Sequence, residues 1–170
     1  MPATLDEYVS NGVTLAEKLP GVSGVYFPGT DWYNALPFIW ANGDEIAVLD
    51  GEEWDAQFSS PESLAGLAQV QELMTKASVA AKDGDETEAW VPFRTGKAAT
   101  LSAPSWAYWS IVADEDGNET PLTDELGYYA LPDLDGGVAQ VFAGGSNVGV
   151  AAKSKNVDLA KKALEIMLSD

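Results

Sequence analysis

The chain has 170 residues, enough for one domain with a substantial core, and at 46% hydrophobic and 21% charged it is globular rather than disordered. Nine basic residues face twenty-seven acidic ones, for a net charge of −18, which repels phosphate backbones and anionic lipid headgroups and argues against nucleic acid or a membrane surface as partner. With neither Cys nor His, thiol nucleophiles, Ser-His-Asp triads, imidazole bases and Cys/His zinc sites are excluded together.

Thr4 is a candidate cap for a helix through Leu5-Asp6-Glu7-Tyr8-Val9, with Asn11-Gly12 as its stop. Gly24-Val25-Tyr26-Phe27, bounded by Pro28-Gly29, reads as a strand. Asp31 then caps a helix carrying Trp32, Tyr33, Leu36, Phe38, Ile39 and Trp40, ended by Asn42-Gly43. Ile46–Leu49 followed by Asp50-Gly51 reads as half of a small hairpin with a type I′ turn. The clearest helix starts at Ser60-Pro61-Glu62, a cap, a first-turn proline and a helix-start acid, with Leu64, Leu67, Ala68, Val70, Leu73 and Met74 as its apolar stripe.

The polar loop Lys82–Glu86 leads to a short helix from Glu88 to Thr95, stopped by Gly96. Ala98–Ala103 reads as a small-residue strand, and Pro104-Ser105 opens a helix with Trp106, Tyr108, Trp109, Ile111 and Val112. After the acidic turn Asp114–Asn118 come three candidate strands, Tyr128–Leu131, Ala139–Phe142 and Val148–Ala151, and an amphipathic helix from Val157 to Leu168. Alternating strands and helices without repeat or linker give one α/β domain, a mixed sheet flanked by helices. The last helix breaks off uncapped, as in a chain cut from something longer. No run is apolar enough to span a bilayer, and the N-terminus has no signal-peptide pattern, so the leader of an exported parent is expected outside this chain.

Two junctions stand out among the six Trp and six Tyr. Trp32-Tyr33 and Trp106 both open helices just after a strand, where loops of open α/β sheets carry binding groups. Large rings there can stack on the apolar faces of sugars, while an acid such as Asp31 accepts hydroxyl hydrogen bonds. Core packing, with Asp31 only a cap, explains the same residues. Trp40 and Trp109 fit the core better, Trp90 and Phe93 read as one packed face, and Trp54 suits either a rim contact or a surface plug. The Asp114-Glu115-Asp116-Gly117-Asn118 turn lacks the glycine position and the twelfth-place Glu of a calcium loop, so a solvated turn is the default and no metal is expected. Gly144-Gly145-Ser146-Asn147 lacks phosphate-loop patterns and reads as a crossover or hinge. No acid sits in a setting that plainly raises its pKa, so nothing marks a glycosidase carboxylate pair.

Four stretches resemble one family, the solute-binding proteins of bacterial ABC sugar importers, which includes maltose-binding protein. Phe93-Arg94-Thr95-Gly96-Lys97-Ala98-Ala99-Thr100 is similar to its F-x-x-G-K-A-A-M, with Thr100 in place of Met. Ala103-Pro104-Ser105-Trp106 is similar to its small-residue-plus-Trp element, with Pro104 a departure. Gly127-Tyr128-Tyr129-Ala130-Leu131-Pro132 followed by Gly144-Gly145-Ser146-Asn147 repeats the order strand, Leu-Pro, Gly-Gly, and Lys153–Asn156 leads into the last helix as in the family's closing run.

The resemblance implies a type II periplasmic-binding-protein-like lobe. Residues 1–143 would form the second, ligand-binding lobe, and residues 144–170 the hinge crossover and the start of the return into the first. It implies sugar contacts at Asp31, Trp32, Tyr33, Trp106, Gly145, Ser146 and Asn147, capture without catalysis or cofactor, and delivery to ABC permease subunits by an extracellular monomer, periplasmic or anchored as a lipoprotein. The rival functions are a carbohydrate-active enzyme using paired carboxylates and a surface module with packed aromatics and no small ligand.

Overall fold

Thr4 has extended backbone and its hydroxyl accepts the Glu7 N–H at 3.2 Å, starting the first helix, α1 (Leu5–Lys18). The computed structural model describes residues 1–114, 116–145 and 147–169. The expected stop at Asn11-Gly12 is overrun, because Gly12 serves packing rather than termination. It lies in the core, and a Cβ there would come within 2.7 Å of the Val25 side chain. Opposite it, a Cβ on Gly24 would fall on the Gly12 carbonyl. Two glycines face to face let helix and extended chain approach backbone to backbone.

The segment holding Gly24 is the middle of three extended stretches. Its Ser23 N–H donates to Lys97 O at 2.9 Å, and Ser23 O accepts the Ala99 N–H at 2.8 Å; Tyr26 N–H donates to Thr100 O at 2.9 Å. On the other side Gly24 N–H donates to Ala77 O at 2.8 Å and Gly29 N–H to Ala81 O at 3.1 Å. Residues 77–81, 23–29 and 97–101 therefore run side by side in one direction. Among the described residues the expected strands at 24–27 and 98–103 are realised as isolated parallel bridges, Ser23 with Ala98 and Tyr26 with Leu101, rather than full ladders. Serine and threonine side chains supply part of the pairing instead: Ser23 Oγ accepts the Val79 N–H at 3.0 Å, Ser78 Oγ the Phe27 N–H at 3.0 Å, and Thr100 Oγ1 donates to Gly24 O at 2.6 Å.

Helix α2 (Trp32–Ala41) opens on Asp31, and helix α3 (Pro61–Glu72) opens on Ser60 and continues as a π turn over Leu73–Ala77. Between them β1 (Ala47–Asp50) and β2 (Glu53–Ala56) form the expected hairpin. Its positive φ falls on Gly51 alone, the first loop residue, the φ pattern of a type II′ turn rather than the expected I′. The buried face of α3 is Ser63, Gly66 and Val70, leading on to Leu73 and Ala77. Leu64, assigned to the stripe by its chemistry, is 55% exposed. Small residues won that face because α2 lies so close that a Cβ on Gly66 would fall on the Phe38 carbonyl. Leu5, Tyr8, Val9, Val25, Phe27, Phe38, Val70, Leu73 and Ala77 form the core, with Leu131 and Leu134 packed against it.

Asp44 pins the start of α3. It accepts the hydroxyls of Ser60 and Ser63, the latter at 2.5 Å, and the Glu45 N–H at 2.8 Å. These bonds hold its carboxyl below the usual range. A depressed folded-state pKa stabilises above the ordinary carboxylate value and is lost as pH falls through the depressed one. Urea midpoints followed from about pH 6 to about pH 2 should fall, and Asp44→Asn should flatten part of that fall.

Helices α4 (Trp90–Arg94) and α5 (Ala107–Val112) follow as expected, each within three residues of the sequence reading. The region after them differs. Of the three expected strands, the first two are not formed; one antiparallel bridge, Pro132 with Val138, lies just between them, beside the Ala139 N–H to Leu131 O bond at 2.9 Å. Residues 148–151 form no strand, and helix α6 (Val157–Met167) buries none of its described residues. A strand forms only beside a neighbour, and among the described residues these segments have none.

Candidate functional site

Both junctions singled out by their aromatics leave the same end of the parallel segments. After Phe27 the chain passes Pro28-Gly29-Thr30 into Asp31, and after Leu101 it passes Ser102 and Ala103-Pro104-Ser105 into Trp106. The first loop is braced by the turn at 81–84, where Gly84 O accepts both the Thr30 N–H at 2.9 Å and the Thr30 hydroxyl at 2.8 Å. The polar loop that begins at Lys82 thus has a positioning role.

Asp31 is 4% exposed. Its Oδ1 accepts the Asn34 N–H at 3.1 Å and its Oδ2 the Asn34 side-chain amide at 2.7 Å. Burial raises its pKa, against the lowering effect of the two Asn34 bonds and helped by the nearby Glu86 charge. This corrects the expectation that no acid here has a raised pKa: the burial of Asp31 comes from the fold and not from its immediate neighbours in sequence. Asp31 is therefore the cap on which the two rings after it are mounted.

Those rings are open to solvent. Trp32 is 49% and Tyr33 37% exposed, stacked on each other with centroids 3.7 Å apart. Phe142 packs beside both, at 5.4 Å from Trp32 and 5.1 Å from Tyr33. Sequence reasoning placed Phe142 in a strand and gave no sign of this contact across more than a hundred residues. Trp106 is 57% exposed and meets Trp90 edge to face at 5.3 Å.

Asn34 joins the two junctions, which the sequence did not announce either. Its amide donates to Ser102 O at 3.3 Å and its carbonyl accepts the Ser102 hydroxyl at 2.8 Å. One side chain thereby binds the cap of α2 to the loop that presents Trp106. Gly145 and Asn147 are exposed, with nothing within 4 Å of a Cβ at Gly145; Ser146 lies outside the described residues. Trp109, expected in the core, is 72% exposed, because the α5 face that turns inward is Ala107, Ile111 and Val112.

Asp114 accepts the Asn118 side-chain amide at 3.1 Å and the Asn118 and Asp116 N–H groups at 2.8 and 3.0 Å, which closes the acidic turn on itself and lowers its pKa; Glu115 lies outside the described residues. Among the described residues no three carboxylates converge as a cation would require.

Set against known proteins, the chain matches the bacterial extracellular solute-binding protein family over residues 2–170. It belongs to that family. This solute-binding protein is 31% identical over 173 residues to the diacetylchitobiose binding protein DasA of Streptomyces coelicolor, covering 100% of the chain and 39% of DasA. Its fold is similar to that of the GacH receptor of Streptomyces glaucescens, solved unliganded and with acarbose, at a TM-score of 0.71 and 19% identity over 99% of the chain and 42% of the receptor. Maltose-bound MalE3 of T. maritima gives 0.62 and 23% over 82% of the chain and 35% of that protein. The solute-binding protein chain thus spans about two-fifths of the length of these relatives, and the type II periplasmic-binding fold implied by its motifs is the fold it has.

Proposed function

We propose that this chain is the sugar-gripping lobe of an ABC importer's solute-binding protein. The observation that carries the reading is the pair of solvent-facing aromatic platforms, Trp32-Tyr33 and Trp106, leaving one end of the parallel segments and held in register by Asn34. Apolar ring faces stack on sugar faces, and the polar groups between them select hydroxyls. The relative that binds diacetylchitobiose, aligned over the whole chain, supports a carbohydrate as ligand. In this reading residues 1–143 make the lobe and residues 144–170 the crossover toward the other one. Gly145, Ser146 and Asn147 approach the ligand at the hinge, and Asp31 orients the rings and offers its remaining lone pairs. The protein works outside the cytoplasm, periplasmic or lipid-anchored, as a monomer, and hands its sugar to permease subunits.

Catalysis is not part of the proposal. Each oxygen of the buried acid Asp31 already accepts one bond from Asn34, which suits an acceptor rather than a proton donor. A panel of oligosaccharides tests the reading. Tryptophan fluorescence and melting temperature should shift with at least one sugar and no glycosidic bond should break; turnover, or silence across the panel, overturns it.

A further inference from the structure

Next to Trp106, helices α4 and α5 enclose a cleft of about 340 Å³ that no expectation above assigned. Trp90 and Trp109 line it, with Arg94, Glu88 and Asp114. Resting on the sugar-binding reading, we propose that this cleft is an outer subsite for a further, uncharged ring of an oligosaccharide whose first ring stacks on Trp106.

The geometry is that of a continuous track. Trp106 and Trp109 are three residues apart on one turn, joined by the Trp109 N–H to Trp106 O bond at 3.3 Å, a spacing that sets side chains on the same side of a helix. Trp90 belongs to both places: its ring meets Trp106 at 5.3 Å and forms part of the cleft wall. Trp109 exposes 72% of its surface while Tyr108 holds its ring edge to face at 5.1 Å, so a large apolar ring is offered to solvent in a fixed pose. A ligand that covered it would release water from that surface.

The cleft is also rigid and supplied with acceptors. Arg94 spans it, donating to Ser110 O at 3.1 Å and Ala113 O at 3.0 Å, which sets the separation of α4 and α5. Asp114 is locked by Asn118. Glu88 has a φ of 57°, the left-handed region that a residue with a side chain adopts only when its surroundings enforce it. The exposed Glu88 carboxylate beside the open Trp109 indole suits sugar hydroxyls, and with Asp114 it repels acidic sugars.

The test follows individual indole N–H resonances of the protein by NMR during titration with maltose, maltotetraose, diacetylchitobiose and the tetrasaccharide of the same N-acetylated sugar. The tetrasaccharide of the series that moves Trp106 should also move Trp109. In Trp109→Ala, an exposed position whose loss spares the core, the ratio of tetrasaccharide to disaccharide affinity should fall about five- to tenfold. A Trp109 signal that stays still while Trp106 titrates with the tetrasaccharide, or an unchanged ratio, overturns the subsite and leaves the proposed function standing. Silence of Trp106 and Trp109 with every sugar overturns the subsite, and silence of Trp32 as well overturns the proposed function.

Discussion

Gly24→Ala is expected to be among the most damaging single changes in the molecule, lowering stability by about 3 kcal/mol or more. The added methyl would coincide with the Gly12 carbonyl and press on Ala16 N at 2.9 Å, all backbone of α1. Backbone cannot rotate away as a side chain can, so α1 must move off the middle extended segment and take Tyr8 and Val9 with it. Gly127→Ala is the control, since nothing lies within 4 Å of a Cβ there and its φ is unexceptional; it should stay within about 0.5 kcal/mol of the parent. Urea denaturation of the two variants measures both. A Gly24→Ala protein as stable as the parent would mean that α1 and the extended segment are further apart than described.

The second large effect is on ligand binding. Trp106→Ala should weaken the sugar response of the proposed site about thirtyfold, the level expected when a well-placed aromatic anchor worth about 2 kcal/mol is truncated. Its ring is 57% exposed and contributes little to the core, so the melting temperature without ligand should change little while the fluorescence titration collapses. An unchanged titration removes Trp106 from the site. Phe142→Ala gives a useful contrast, since that ring touches Trp32 and Tyr33 and not the Trp90–Trp106 pair.

Features of the fold that depend on neighbours in sequence were legible. Asp31 and Ser60 cap because their side chains reach an N–H three residues on, and both do so. The motif Phe93–Thr100 marked the passage from α4 into an extended segment, and the order of such motifs gave the family. What escaped depends on partners far along the chain. Gly12 looks like a stop until Gly24 faces it; Leu64 looks buried until α2 selects Ser63 and Gly66. For the proposed site, Asp31, Trp32, Tyr33 and Trp106 were singled out by their junctions and by the resemblance. Asn34 could not, because Ser102 lies 68 residues away. Trp109 was misjudged for a related reason: a six-residue helix shows too little periodicity to tell its inward side from its outward one.

The middle extended segment has a consequence for how the chain assembles. Its contact with α1 closes a loop of about a dozen residues, whereas its partners at 77–81 and 97–101 close loops of more than fifty and more than seventy. Closing short loops costs less entropy. As the polypeptide leaves the ribosome, α1 can settle against Gly24 before either flank exists. The first flank then arrives with α3, and the second only when the stretch leading to Trp106 has been made. In this order Trp106, one of the two proposed platforms, is fastened only after α1, α2 and α3 are in place.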